Sequence, residues 1–150
     1  MRYELILILF LVMGCATTLP PAGPSDQAMD KADKIYLTVD DSPDEAYKSF
    51  ASYLSGEGFA FSNSDEVIRT LSTEYKHYQG SSSFQYKVNA NIRDDSMTVI
   101  QISGKGVMLY LGEMEAENRG SSGSPVQNLW QEIETLAKEY PHRNIYYGRN

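Results

Sequence analysis

The sequence predicts an α+β domain of two layers, a curved and mainly antiparallel sheet packed against two amphipathic helices, in the order β-α-β-β-β-α. Two segments, beginning near Tyr47 and Val126, repeat apolar residues at helical spacing, each behind a Ser-Pro start. Between them Phe84, Tyr86, Val88, Ala90 and Ile92 alternate with Gln85, Lys87, Asn89, Asn91 and Arg93. That is a strand with one face covered and the other wet. Helices with a single apolar stripe need a surface to bury it on, and this strand supplies one.

Ile35–Val39 is rich in β-branched and aromatic residues and reads as the first strand. Ser42-Pro43-Asp44-Glu45 then forms a capping box: serine at the N-cap, proline at N1, glutamate at N3. Tyr47, Phe50, Ala51 and Leu54 give the helix its apolar face, and Gly56 and Gly58 end it. Phe59–Phe61 opens a second strand, with Ser62–Asp65 as a turn or bulge. Val67–Tyr78 is favoured as strand because Thr70, Ser72 and Thr73 are poor helix formers; a helix over Asp65–His77 is the alternative. After the Phe84–Arg93 strand, Asp94-Asp95-Ser96 turns into Met97–Ser103, and Gly104 and Gly106 suggest a bulge before Val107–Leu111. Gly112–Gly123 is expected as a loop. Ser124-Pro125-Val126-Gln127 starts the second helix, again with a capping-box pattern; its face is Val126, Leu129, Trp130, Ile133, Leu136, Ala137 and Tyr140. Trp130 is expected in the core. Pro141 stops the helix, and Ile145–Tyr147 is an edge strand or a docked tail.

The amino-terminal stretch organises the functional reading. An apolar run, Leu5 to Met13, ends in Gly14 and Cys15, the one cysteine of the chain. The run is shorter than the ~20 apolar residues that span a bilayer, and a cysteine behind a small residue suits cleavage of a secretory signal. Leu11-Val12-Met13-Gly14-Cys15 resembles the lipobox of bacterial lipoproteins. The resemblance implies a signal peptide over 1–14 and a mature terminus at Cys15 carrying acyl chains such as palmitate. An uncleaved anchoring segment is the alternative. Ala16, with no aspartate beside the cysteine, resembles the family's signal for the outer membrane, which places the protein in the cell envelope facing the periplasm. Residues 15–33, with Pro20, Pro21 and Pro24, read as a lipidated N-terminus and flexible tether, and 34–150 as the domain.

The formal net charge of −7 argues against nucleic acid as a partner. A single cysteine excludes an internal disulfide and a cysteine-rich metal site. His77 and His142 lack a second ligand at a metal spacing and read as surface residues. Asp40-Asp41 and Asp94-Asp95 sit where caps and turns favour aspartate, and Glu113, Glu115 and Glu117 with Asp95 form at most an adventitious cation site. No Gly-x-Ser-x-Gly motif occurs, and Gly104-Lys105-Gly106 lacks the spacing of a phosphate loop. No catalytic residue, cofactor or metal is therefore assigned. Of the eleven tyrosines, Tyr36, Tyr53, Tyr78, Tyr110, Tyr146 and Tyr147 exceed what two helical faces need, and Tyr110, Tyr146 and Tyr147 are the candidate interface residues.

From Ile35 to Tyr140, the early helix ending Gly56-Glu57-Gly58-Phe59, the Leu71-Ser72-Thr73-Glu74-Tyr75 segment and the late helix with Trp130 resemble the helix-grip domains of envelope lipoproteins. These include a lipoprotein accessory component of the outer-membrane β-barrel assembly machine. The resemblance is architectural and brings no catalytic residues with it. The expected function is a membrane-anchored, non-enzymatic scaffold that binds another envelope protein. The alternatives are a carrier of a small apolar ligand, with the 104 and 106 glycines widening an interlayer cleft, and a small periplasmic hydrolase.

Overall fold

The computed structural model describes residues 23–78, 81, 83–119 and 123–149. Its elements are β1 (Lys34–Val39), α1 (Pro43–Gly56), β2 (Phe61–Asp65), β3 (Thr70–Thr73), β4 (Lys76–His77), β5 (Phe84–Asp94), β6 (Thr98–Met108), β7 (Gly112–Glu115), α2 (Pro125–Glu139) and β8 (Asn144–Gly148). The strands form one open antiparallel sheet in the order β2-β3-β5-β6-β1-β8, with β4 added to β5 and β7 to β6. The two-layer α+β architecture read from the sequence is the one observed. Among the described residues, no helix is long and apolar enough to cross a membrane.

β5 and β6 are the spine, paired without a register break from Phe84↔Met108 to Asp94↔Thr98. The first half of β6 also pairs with β1 and the second half with β7. The alternation foreseen in β5 is the observed one: Phe84, Tyr86, Val88, Ala90 and Ile92 are buried under the helices, and their neighbours are half-exposed on the other face. Ile35, Leu37, Ile100 and Ile102 continue the inner face, which packs with Phe50 and Leu54 of α1 and Leu129, Trp130 and Ile133 of α2. The helices are tied to each other where the Tyr53 hydroxyl donates to the Leu136 carbonyl at 2.9 Å and the Tyr140 hydroxyl meets Ser49 Oγ at 3.1 Å.

Both caps form, in different ways. At α1 the Ser42 side chain accepts from Glu45 N and the Glu45 carboxylate accepts from Ser42 N, the full reciprocal box. The Ser42 hydroxyl, which donates to Glu45 Oε2 at 2.7 Å, and then the Ser42 N–H hold the Glu45 carboxyl below its usual range. At α2 Ser124 Oγ accepts from Gln127 N, but the Gln127 amide turns away. It accepts from Arg119 N at 2.7 Å and donates to Asn118, binding the β7–α2 connection to the helix start.

Several boundaries differ from the sequence expectation. Ser62–Asp65 is the body of β2, and its bulge lies between Phe61 and Asn63. The segment expected as one strand over Val67–Tyr78 is a turn with exposed Val67 and Ile68, followed by the short strands β3 and β4. Asp65 Oδ1 accepts from Val67 N and Ile68 N, so an Asx turn takes these apolar residues out of the sheet. Gly104 and Gly106 make no bulge. The strand expected over Val107–Leu111 ends at Met108, and the first residues of the expected 112–123 loop are β7. Ile145–Tyr147 is an edge strand, as one of the two expectations had it.

Of the tether expected over 15–33, the described part lies against the domain. Ser25 N donates to Ile145 O, Lys31 N to Asn118 O, and Asn118 N to Ala32 O, while Ala32 is fully buried. The docked chain therefore begins by Ser25. The signal peptide and Cys15 lie outside the described residues.

Candidate functional site

At Gly104 and Gly106 the sheet and α2 are in direct contact. A Cβ built on Gly104 would fall 2.5 Å from Ile133 Cγ1, and one on Gly106 would fall 2.7 Å from Phe84 Cε2 and 3.0 Å from Leu129 Cδ2. The two glycines do not widen a cleft. They remove side chains from β6 so that Ile133 and Leu129 of α2 seat on the strand backbone. Trp130, 1% exposed, lies beside the Tyr147 ring at 6.1 Å.

The outer face of the sheet carries Gln85, Lys87, Asn89, Asn91 and Arg93 of β5 beside Gln101, Ser103 and Lys105 of β6, with Tyr36 and Tyr146 cross-strand neighbours on β1 and β8. Tyr75 spans this face, with the Lys87 ammonium 5.2 Å from its ring centroid. Lys105 pairs with Glu113 at 2.8 Å and Glu115 at 3.5 Å, which holds the Glu113 carboxyl below its usual range and raises the Lys105 ammonium. Towards β1 the Arg93 guanidinium lies over the Tyr36 ring at 5.8 Å, and its Nε and Nη2 are buried without a hydrogen-bond partner among the described residues. Burial raises the Tyr36 phenol despite this cation. Arg93 and Thr38 flank Val99 across the strands, and Val99 is fully buried on this face.

The candidate interface tyrosines separate. Tyr110 is 88% exposed in the turn between β6 and β7. Tyr146 is half-buried on the outer face. Tyr147 is 3% exposed and donates its hydroxyl to Glu134 at 2.8 Å, so it is a core residue with no surface for a partner. Strand parity decides this: Tyr147 pairs with Ile35 on the inner face, Tyr146 with Tyr36 on the outer. Sequence reasoning missed Leu109 and Leu111, which it took for sheet; three large apolar residues before a glycine were the available signal.

Both aspartate pairs come to the same end of the sheet, where Asp40 pairs with Arg143 at 3.3 Å. Asp95 and Glu113 lie at opposite ends of the spine, so the mixed cation site over 95, 113, 115 and 117 does not assemble. Among the described residues no three His, Cys, Asp or Glu side chains are placed to share a metal ion. His77 Nε2 contacts the Gln85 amide, and His142 Nδ1 bonds the Tyr140 carbonyl at 2.7 Å; neither bonds a serine among the described residues.

Three phenols, Tyr53 partly buried between the helices and Tyr86 and Tyr147 in the core, are expected to make the domain sensitive to alkali. Burial, with Glu57 and Glu139 nearby, pushes Tyr53 up to about 12. Tyr86 and Tyr147 are raised too, by burial first and then by Glu132 and Glu134 respectively. An unfolded tyrosine titrates near pH 10, so these groups' stabilisation is complete below about pH 10 and falls as pH rises towards 12. Circular dichroism across about pH 9 to 12 should show unfolding in that window, and Tyr53→Phe should flatten the fall. An unchanged profile in that variant would remove Tyr53 from the account.

No protein-family model matches the chain, and no curated protein is significantly similar to it.

Proposed function

We propose that the chain is an envelope lipoprotein, anchored through an acylated Cys15, whose domain binds another envelope protein and catalyses no reaction. Its place is the outer membrane facing the periplasm. The observation that carries this reading is the contrast between the two faces of the sheet. At Gly104 and Gly106 the inner face lies directly against Ile133 and Leu129 of α2, so these glycines open no cleft for an apolar cargo. The outer face presents amides, hydroxyls and the rims of Tyr36, Tyr75 and Tyr146 across several strands. Such a surface suits contact with a folded partner, since tyrosine offers broad amphipathic area at low entropic cost. Tethering raises the local concentration of the domain at the membrane, so modest contacts suffice. The helix-grip resemblance makes a component of the outer-membrane assembly machine the first partner to try.

Cys15→Ser is expected to abolish metabolic acyl labelling and to release or misprocess the protein; unchanged membrane attachment would refute the anchor. A photo-crosslinking residue at Tyr146 should capture one defined envelope protein in intact cells, while one at Ser52, exposed on α1, should not. Equal capture from both positions would remove the outer face as the binding surface.

A further inference from the structure

The turn joining β6 to β7 puts Leu109, Tyr110 and Leu111 in solvent, 73%, 88% and 65% exposed. Leu111 N closes the turn on Met108 O, and Gly112, at φ +77°, carries the chain into β7. Single exposed leucines are ordinary, but three large apolar residues in a row on a projecting tip are a patch. No charge interrupts the sequence from Gly106 to Gly112, or from Tyr78 to Ser83 in the neighbouring connection, where Ser83 O accepts from Leu109 N. A groove of about 350 Å³ lined by Ser83, Gln85, Val107 and Leu109 runs beneath the tip. The opposite end of the sheet gathers the acidic turns: Asp40 and Asp41 after β1, Glu66 after β2, and Asp94 and Asp95 after β5. The domain is thus asymmetric along its strands, with an apolar turn at one end and, at the other, an excess of carboxylates of which Asp40, Asp44 and Glu66 are paired with Arg143, Arg69 and Lys48.

We propose that the 109–111 turn inserts into the interfacial layer of a phospholipid bilayer, giving the domain a second hold on the membrane. The tether half of this picture rests on the lipoprotein reading; the insertion does not. Tyrosine settles at the headgroup level and leucine below it, which is the composition of this tip. The acidic end then faces away from the lipid. Lengths agree as well. Ser25, bonded to Ile145, is level with Ile100 of β6, nine residues or roughly 30 Å from Leu109. The ten residues from Cys15 to Ser25 reach roughly 31 Å when extended as polyproline, so anchor and tip can meet one surface. A second copy of the chain fits less well, because three side chains offer roughly 400–500 Å², short of the ~800 Å² per partner of a stable dimer.

The full chain with Tyr110→Trp, mixed with phosphatidylcholine vesicles containing dibrominated lipid, should lose at least half of its added fluorescence. The same chain with Met97→Trp, in the acidic turn after β5, should keep its fluorescence, as should the buried Trp130 of the unaltered chain. Adding Leu109→Ser and Leu111→Ser to Tyr110→Trp should abolish the quenching, with circular dichroism confirming an unchanged fold. Acyl mass and vesicle flotation score the tether separately, and quenching is read at lipid excess for both the anchored chain and Cys15→Ser. Quenching by the chain that retains Cys15, when its mass shows no acyl group, sustains the insertion and sinks the tether. Absence of quenching in both forms, equal quenching at 97 and 110, or a lipid-free spectral shift that grows with protein concentration overturns the proposal; the last result would indicate a second copy.

Discussion

Trp130→Ala is expected to lower the free energy of unfolding by about 3–5 kcal/mol, read as a shift of the urea midpoint at constant slope. The ring is buried on α2's inward face, beside Tyr147 of the edge strand β8. A loss below about 1 kcal/mol would contradict that position. Trp130→Phe separates two contributions. The indole Nε1 is buried with no partner among the described residues, and an unpaired buried donor costs about 1–3 kcal/mol. Phenylalanine gives up some packing but also removes that donor, so it should destabilise far less than alanine. Near-equal losses for the two variants would mean that the nitrogen is satisfied after all.

Gly104→Ala should cost about 1–3 kcal/mol although it adds one methyl group. The new Cβ would meet Ile133 Cγ1 at 2.5 Å and Cδ1 at 2.7 Å, contacts that force α2 off the strand or Ile133 out of its rotamer. Ile133→Ala alone should cost about 2–5 kcal/mol through the cavity it leaves. The two together should cost less than their sum, because each change makes room for the other, with a coupling of about 0.5–3 kcal/mol. Strict additivity would show that helix and strand do not touch at this point.

Much of this fold was legible because it rests on local periodicity. The inward and outward residues of β5, the Ser42 cap, the face of α2 and the core position of Trp130 each follow from spacing within one element. What was not legible depended on partners far along the chain. Gly104 and Gly106 carry a weak local message that fits a bulge or a tight contact equally well, and only the position of α2 decides between them. Tyr146 and Tyr147 are chemically identical, and their fates diverge through a register set by β1. Val67 and Ile68 have strand propensity, but the Asp65 side chain holds them in a turn. Leu109 and Leu111 read as strand for the same reason, since exposure is a property of the whole surface. The outer face was visible as polar alternation in β5; that Thr38, Val99 and the Arg93 guanidinium would be buried on it was not.

β1 lies between β6 and β8, with Thr38 paired to both Val99 and Asn144. During synthesis this strand emerges early and waits about a hundred residues for its second neighbour. Pairings so distant in sequence slow folding and leave an unsatisfied edge open to wrong partners in the meantime. A chain exported through a membrane before it folds would escape that hazard on the ribosome and meet it afterwards, where a holding chaperone would shorten the exposure.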